Sequence, residues 1–193
     1  MHKIMIFIDG SWLYQNLLVL RSHAADAAFR IDYGKLPQVL ANALCHQTTQ
    51  LRNGSTAIAG DVVRTHLFAS VPDNFDLLDQ PLVEEARAFY DLLKMEYFYE
   101  LELYPIDFKR QRVRREDRDG DGLLRIQEKC VDVALATKLV YFATVPGAFD
   151  TAIVVVGDKD FMPALQQVRR MGKRVAVASI RQSCSAEFRD LYD

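Results

Sequence analysis

Acidic side chains follow two apolar segments of the sequence, each of which predicts a buried strand. Asp9 comes directly after residues 3–8, and Asp158 follows the β-branched residues 152–156, with Asp160 two residues further on. A carboxylate that ends a buried strand is held at the edge of the sheet, so two neighbouring strands would bring these carboxylates together. Because like charges at short distance repel each other, such a cluster requires a cation or protonation.

Asp132 adds a further carboxylate, at the start of a helix predicted over residues 131–142. Oxygen ligands without His or Cys suit Mg²⁺ or Mn²⁺. In proteins these ions support phosphoryl transfer and phosphodiester hydrolysis, where they activate water and neutralise charge on the leaving oxygen. A structural alternative stays open, in which each Asp is a helix cap or a first-turn acid that the helix dipole favours.

Alternating strands and helices are the elements that must position these acids. The predicted strands are residues 3–8, 62–71, 152–156 and 174–180, and the predicted helices are 12–20 with Ser11 as N-cap, 33–46, 82–95, 131–142, 160–171 and 185–192. This alternation predicts an α/β domain with a mostly parallel sheet covered on both faces. Ligands of such sheets bind beyond the carboxyl ends of the strands, where the acids are expected.

Residues 97–128 interrupt the alternation. The segment is β-rich as far as residue 113, turns at residues 119–122 and returns over residues 123–128, which predicts a hairpin insertion within a single domain of residues 1–193. Residues 117–128 also fit the calcium-loop pattern, but that loop needs an entering helix, and the strand-like residues before it favour an acidic hairpin tip.

The same hairpin carries a dense group of cations, which are Lys109, Arg110, Arg112, Arg114 and Arg115. Three of these arginines share one face if the segment is a strand. One interpretation is a stripe that binds RNA phosphates beside the acids. The other is a solvated hairpin, which the acids at residues 117–121 support because they would oppose RNA.

Composition excludes several classes of protein. With 193 residues, 50% hydrophobic residues, 9 Gly and 6 Pro, the chain is neither disordered nor of low complexity. A net charge of −2 means that any contact with nucleic acid depends on a local patch. No apolar run is long enough for a membrane span or a signal peptide, and the 3 cysteines and 4 histidines lack zinc-site spacing. These features predict a cytoplasmic protein with reduced thiols and no membrane contact.

Four segments, taken in order, resemble the NYN domain, a PIN-like nuclease family that includes the LabA-like bacterial proteins. They are FIDGS at 7–11, KCVDVALA at 129–136, DTAIVVVGDKDF at 150–161 and GKRV at 172–175. The resemblance spans residues 4 to about 192 and implies a PIN-like, Rossmann-like three-layer α/β/α fold with Mg²⁺- or Mn²⁺-dependent ribonuclease chemistry. It implies that the catalytic and metal-binding residues are Asp9, Asp132, Asp158 and Asp160.

Other matching positions are expected to support these acids or to contact substrate, namely Ser11, Asn16, Lys129 and Lys159. The chain also departs from the family pattern at three positions. Trp12 stands where the family often has Asn, although Asn16, one helical turn on, could face the same way. Cys130 replaces the usual Gly, and Lys159 replaces a small hydroxyl residue.

The leading hypothesis is therefore a metal-dependent ribonuclease, expected to be an endonuclease, with RNA as its partner and homo-oligomer formation left open. A second hypothesis is a catalytically weak or inactive RNA-binding or regulatory module on the same fold, which Trp12 and the near-neutral charge favour. A third is a haloacid-dehalogenase-type phosphatase. That chemistry requires a second Asp two residues after the first, where this chain has Ser11.

Overall fold

Five parallel strands form one sheet in the computed structural model, which describes residues 2–24, 29–51, 60–74, 77, 80–107 and 130–188. The strands are β1 (His2–Asp9), β2 (Gly60–Asn74), β3 (Glu100–Asp107), β4 (Thr151–Val155) and β5 (Arg174–Ala178). Their order across the sheet is β3-β2-β1-β4-β5, so β1 lies at the centre. All four pairings are parallel, which confirms the predicted sheet.

The central strands are apolar on both faces because helices cover both faces. Ile4 and Ile6 pack on one side of β1, while Met5 and Phe7 pack on the other. All five residues of β4 are buried as well. A strand that alternated apolar and polar residues would place polar groups against one helical layer, so continuous apolar runs are what this position requires.

Six helices of the described residues build the two outer layers. They are α1 (Gly10–Gln15), α2 (Leu17–Ala24), α3 (Leu36–Leu51), α4 (Gln80–Met95), α5 (Val131–Thr144) and α6 (Met162–Arg170), the last preceded by a 3-10 turn over Lys159–Phe161. Helices α1, α3 and α4 contribute to the core on the Ile4 face, and α5 and α6 to the core on the Phe7 face. This arrangement confirms the three-layer α/β/α fold. Within the described ranges, no helix is both long and apolar enough to cross a membrane.

Strand β3 has a pairing that the sequence did not predict. Residues 97–128 are predicted as a hairpin insertion, and the first part of that range, Glu100–Asp107, pairs in parallel with β2 at the edge of the described sheet. The return strand expected over residues 123–128 lies outside the described residues, so the hairpin stays a prediction. The edge position also explains why Pro105 is tolerated there, since an edge strand has one side free of ladder hydrogen bonds. The rest of the insertion lies outside the described residues, together with the calcium-like stretch, the five cations at 109–115 and Lys129.

One histidine of β2 lies in the core. The ring of His66 is 2% exposed and stacks against Phe7 at 5.3 Å and Phe142 at 5.1 Å between centroids. Neither ring nitrogen has a hydrogen-bond partner among the described residues. Burial lowers the pKa of His66 to about 4, although the charges of Glu100 and Glu102 act in the opposite direction. The ring is therefore neutral at physiological pH.

Candidate functional site

The acids lie where the winding of the sheet changes direction. From β1 the chain proceeds outward to β2 and β3, and then returns to the other side of β1 to form β4 and β5. The boundary between β1 and β4 is thus the switch point of the sheet, and ligands of open parallel sheets bind outside the carboxyl ends of the strands at such a point. Asp9 is the last residue of β1, and Asp158 follows the end of β4.

Asp9 connects β1 directly to α1. Its side chain is 5% exposed, and its Oδ1 accepts a hydrogen bond of 2.8 Å from the backbone N–H of Trp12. Asp9 is therefore the N-cap of α1, whereas the sequence predicted Ser11 in that role. The prediction was wrong because no residue separates strand from helix, so the last extended residue of β1 also serves as the cap. Ser11 supports Asp9 through its backbone N–H instead.

The environment of Asp9 favours a proton or a cation on its carboxylate. Burial raises the pKa of Asp9 to about 7, and the charges of Asp132 and Asp158 add to the effect, while the hydrogen bond from the Trp12 N–H opposes it. A buried carboxyl with such a pKa exchanges its proton near neutral pH, as a group that takes part in acid–base chemistry must.

Charge interactions connect the four predicted acids: Asp132 and Asp158 act on Asp9, and Asp160 acts on Asp132. Asp132 lies in the first turn of α5, where partial burial raises its pKa, as do the charges of Asp158 and Asp160. The structure thus brings the four predicted acids close enough for their charges to act on one another. Because Asp9 ends β1 while Asp132 begins α5 and Asp158 follows β4, the grouping depends on contacts between distant parts of the chain.

Capping fixes the direction of Asp158. Its Oδ1 accepts a hydrogen bond of 3.0 Å from the backbone N–H of Asp160, which makes it the N-cap of the 3-10 turn. The structural alternative considered for these acids is therefore correct: Asp9 and Asp158 are caps, and Asp132 and Asp160 are first-turn acids. A carboxylate has two oxygens that each accept more than one bond, so a capping role leaves capacity for a further ligand.

The donor set fits a hard divalent cation in its chemistry. Carboxylate oxygens are the preferred ligands of Mg²⁺ and Mn²⁺, and a cation would offset the repulsion that raises the pKa of Asp9 and Asp132. As the side chains stand, no three His, Cys, Asp or Glu residues in the described part of the chain form a group that could hold a metal ion. The assignment of ligands to an ion is therefore a proposal.

Trp12 and Asn16 join α1 to the chain beyond β5. The amide of Asn16 donates to the Trp12 carbonyl oxygen at 2.8 Å, and its oxygen accepts a hydrogen bond from the hydroxyl of Ser183. The half-buried indole of Trp12 lies against Gly157, the residue before Asp158. Both the nitrogen and the oxygen of the Asn16 amide therefore form hydrogen bonds within the protein beside the site. The expected contact of Asn16 with substrate stays a prediction.

Residues 183–188 also hold the chain on either side of Asp158, and we refer to them as the terminal strap. The backbone N–H of Ser185 donates to the Gly157 carbonyl at 3.0 Å, and its hydroxyl accepts from the Lys159 N–H at 3.2 Å. The Lys159 ammonium lies 3.5 Å from Glu187. The sequence predicts a helix over residues 185–192; residues 186–188 form a 3-10 turn, and residues 189–192 lie outside the described residues. The contacts of the strap with residues 157–159 were not predicted, because they join segments that are far apart in the sequence.

Cys130 introduces α5 with an unusual backbone conformation. Its φ is +80° and it lies in the left-handed region, which glycine adopts at no steric cost. This geometry explains why the family usually has Gly at this position. A side chain in this conformation costs about 1–2 kcal/mol, so the backbone immediately before Asp132 is strained.

We expect Gly157→Ala to destabilise the protein and to displace Asp158. An added Cβ would overlap the Trp12 indole nitrogen and the Ser183 carbonyl oxygen, and the second of these is backbone that cannot rotate away. Overpacking of this kind costs about 1–3 kcal/mol. Urea unfolding should report the loss. The control is Gly172→Ala, because an added Cβ there meets nothing within 4 Å and only its positive φ of +80° is penalised. Equal stability of wild type and Gly157→Ala would contradict the packing described here.

Comparison with protein families agrees with this geometry. The NYN domain family model matches residues 3–193, essentially the whole chain. Comparisons with curated proteins and with solved structures give no significant match. The matched range contains the five strands of the described sheet and the four acids. The chain therefore belongs to the NYN domain family.

Proposed function

We propose that the protein is a metal-dependent ribonuclease that hydrolyses phosphodiester bonds within RNA in the cytoplasm, using Asp9, Asp132, Asp158 and Asp160. The NYN domain is a PIN-like nuclease family, which supports a ribonuclease-type function. The observation that carries the proposal is the buried Asp9 at the switch point of the sheet, with a pKa raised to about 7 by burial and by neighbouring acids.

The four acids would hold Mg²⁺ or Mn²⁺ through their carboxylate oxygens, directly or through water. When bound, such an ion supplies Lewis-acid chemistry at the phosphate and lowers the pKa of water. No protein nucleophile is required for this reaction class. Ser11 is therefore proposed to support Asp9 rather than to attack phosphorus.

The residues of the chain contribute orientation and proton transfer. The Trp12 N–H fixes one oxygen of Asp9, and the Asp160 N–H fixes one oxygen of Asp158. These bonds restrict both carboxylates to one rotamer each, which lowers the entropy lost when substrate binds. Because the pKa of Asp9 is raised to about 7 without a cation, the binding of an ion at its carboxylate would release a proton near neutral pH.

Basic residues near the acids are proposed to contact RNA phosphates. Lys159 lies beside Asp158 and is exposed, which places a cation at the edge of the site. The cations Lys109, Arg110, Arg112, Arg114, Arg115 and Lys129 are proposed as further phosphate contacts, and they lie outside the described residues. Such contacts supply affinity that does not depend on base sequence.

A second candidate function is an RNA-binding or regulatory module without catalysis. Trp12 favours it, because an indole packed on Gly157 occupies the place where the family often has an amide side chain. This module would bind RNA with the same basic residues and would have no requirement for a metal ion.

Chelation separates the two candidates. We expect cleavage of a generic single-stranded RNA to stop in EDTA and to return when Mn²⁺ is added in excess, because carboxylates alone do not neutralise the charge of a phosphodiester under attack. The measurement is the cleavage rate on gels, with RNA binding followed in parallel by fluorescence anisotropy. RNA that binds equally with and without metal, and is never cleaved, would support the non-catalytic module and reject the nuclease.

A further inference from the structure

A solvent-open cavity of about 350 Å³ lies at the same end of the sheet as the acids but outside their cluster. Helix α4 forms one wall with Arg87, Tyr90 and Asp91, and the ends of β2 and β3 form the other. Leu103 of β3 is 40% exposed inside it, a high value for a leucine of a sheet. The volume is within the range of pockets that hold small organic groups.

The register of the strands relates this cavity to the acids. Asp9 pairs with Phe68 of β2, and Val71 of the cavity lies three residues further along that strand, opposite Pro105 of β3. At about 3.3 Å per residue and about 4.8 Å between strands, the cavity begins roughly 10 Å beyond the row of Asp9 and extends one strand further out. A short single strand that passes over the end of β1 can therefore reach both places.

The lining of the cavity favours a planar, neutral, polar ring over a phosphate. It presents one cation, Arg87, against two carboxylates, Asp73 and Asp91, so a phosphate would meet more negative than positive charge. Tyr90 of α4 offers aromatic surface on which a ring can stack. Arginine donors and aspartate acceptors together match the edge of a nucleobase, which carries both acceptors and donors.

We propose that this cavity binds a nucleobase of the single-stranded RNA whose backbone lies at the acids. The inference rests on the proposed function in that RNA is the substrate, and it makes the cavity a subsite away from the reacting phosphate. Arg87 and Asp91 hydrogen-bond to the edge of the base, and Tyr90 packs against its face.

Equilibrium binding tests the cavity without depending on cleavage. The probe is a short fluorescein-labelled single-stranded RNA, and the protein is the full chain carrying Asp158→Asn so that the RNA stays intact. Adding Arg87→Ala should weaken binding about tenfold, since an arginine contact to the edge of a base contributes about that much. The slope of log Kd against log salt should stay unchanged, because no phosphate contact is lost. Arg87 is exposed, so its replacement should leave the fold intact.

Two further variants test the direction of the change in RNA binding as well as its size. Asp91→Asn should weaken binding if its carboxylate accepts from a base, and should strengthen binding if the cavity holds a phosphate instead. Arg170→Ala, which removes an exposed arginine from α6, is the matched control and should change Kd by less than about twofold. RNA carrying abasic residues throughout should bind equally to the parent and to Arg87→Ala.

The opposite results overturn the proposal. They are a Kd for Arg87→Ala equal to that of Arg170→Ala, a salt slope flattened by about 0.7, or tighter binding by Asp91→Asn. The result is independent of the nuclease proposal. If the wild-type protein cleaves RNA but Arg87→Ala leaves RNA binding unchanged, only the cavity proposal is rejected. If the protein never cleaves RNA but Arg87→Ala weakens RNA binding, only the nuclease proposal is rejected.

Discussion

Replacing Asp158 by Asn should reduce the rate of RNA cleavage by more than about 100-fold while the protein stays folded. Asparagine retains a side-chain oxygen that can accept the bond from the Asp160 N–H, so the 3-10 turn should survive. What is lost is one negative charge from the cluster around Asp9 and one anionic ligand for a cation. At about 1.36 kcal/mol per tenfold change in rate, the loss corresponds to more than about 2.7 kcal/mol of transition-state stabilisation.

The control for this substitution lies at the other end of the same strand. Asp150→Asn removes a charge just before β4, where the carboxylate accepts a bond of 2.8 Å from the Lys3 N–H, far from the acids along the strand. Single-turnover cleavage and thermal unfolding should be measured for both variants. If Asp158→Asn cleaves as fast as Asp150→Asn, the four acids are not the catalytic site.

The contribution of His66 to the stability of the protein should fall as the pH drops below about 6.5, because its ring is buried. The pKa of His66 is about 4 in the folded protein and about 6.5 in an unfolded chain, so between these values the unfolded state binds the extra proton. The contribution of His66 to the free energy of unfolding is complete above pH 6.5 and decreases as the pH falls. By pH 4 the loss should reach about 3 kcal/mol, at about 1.4 kcal/mol per pH unit.

The variant His66→Phe isolates this effect. Phenylalanine can stack against Phe7 and Phe142 in place of the imidazole, and it has no proton to bind and no unpaired nitrogen. Urea unfolding should show the variant gaining about 2 kcal/mol on wild type between pH 7.5 and pH 5. The comparison with wild type is needed because the raised pKa of Asp9 makes its own contribution to stability increase as the pH falls over part of this range. If the free energy of unfolding depends on pH in the same way in the two proteins, protonation of His66 does not contribute to the loss of stability at low pH.

Local patterns were sufficient to predict the central sheet and the place of Asp9 and Asp158 at its edge. Strands β1 and β4 are short apolar runs because they are buried on both faces, and Asp9 and Asp158 stand out as the charges that end them. Placement at the edge of a parallel sheet then follows from topology alone. The acids were therefore predictable from spacing, even though their partners lie far apart in the sequence.

The features that the sequence did not predict depend on non-local partners or on one residue with two roles. The parallel pairing of β3 with β2 was not predicted, because the two strands are separated in the sequence by α4 and no local pattern relates them. Asp9 ends a strand and caps a helix at once, so the next polar residue was taken as the cap. The contacts of Gly157 with Trp12 and Ser183 join three separate segments, and no sequence window contains all of them.

The central position of β1 has a consequence for how the acids come together when the protein folds. Asp9 ends β1, whereas β4, with which β1 pairs, and the terminal strap that contacts Gly157 come from a part of the sequence far from β1. Until β4 pairs with β1, Asp158 has no fixed position beside Asp9, and one side of β1 has no partner strand. The cluster of acids is therefore a product of long-range pairing and cannot form in β1 and α1 alone.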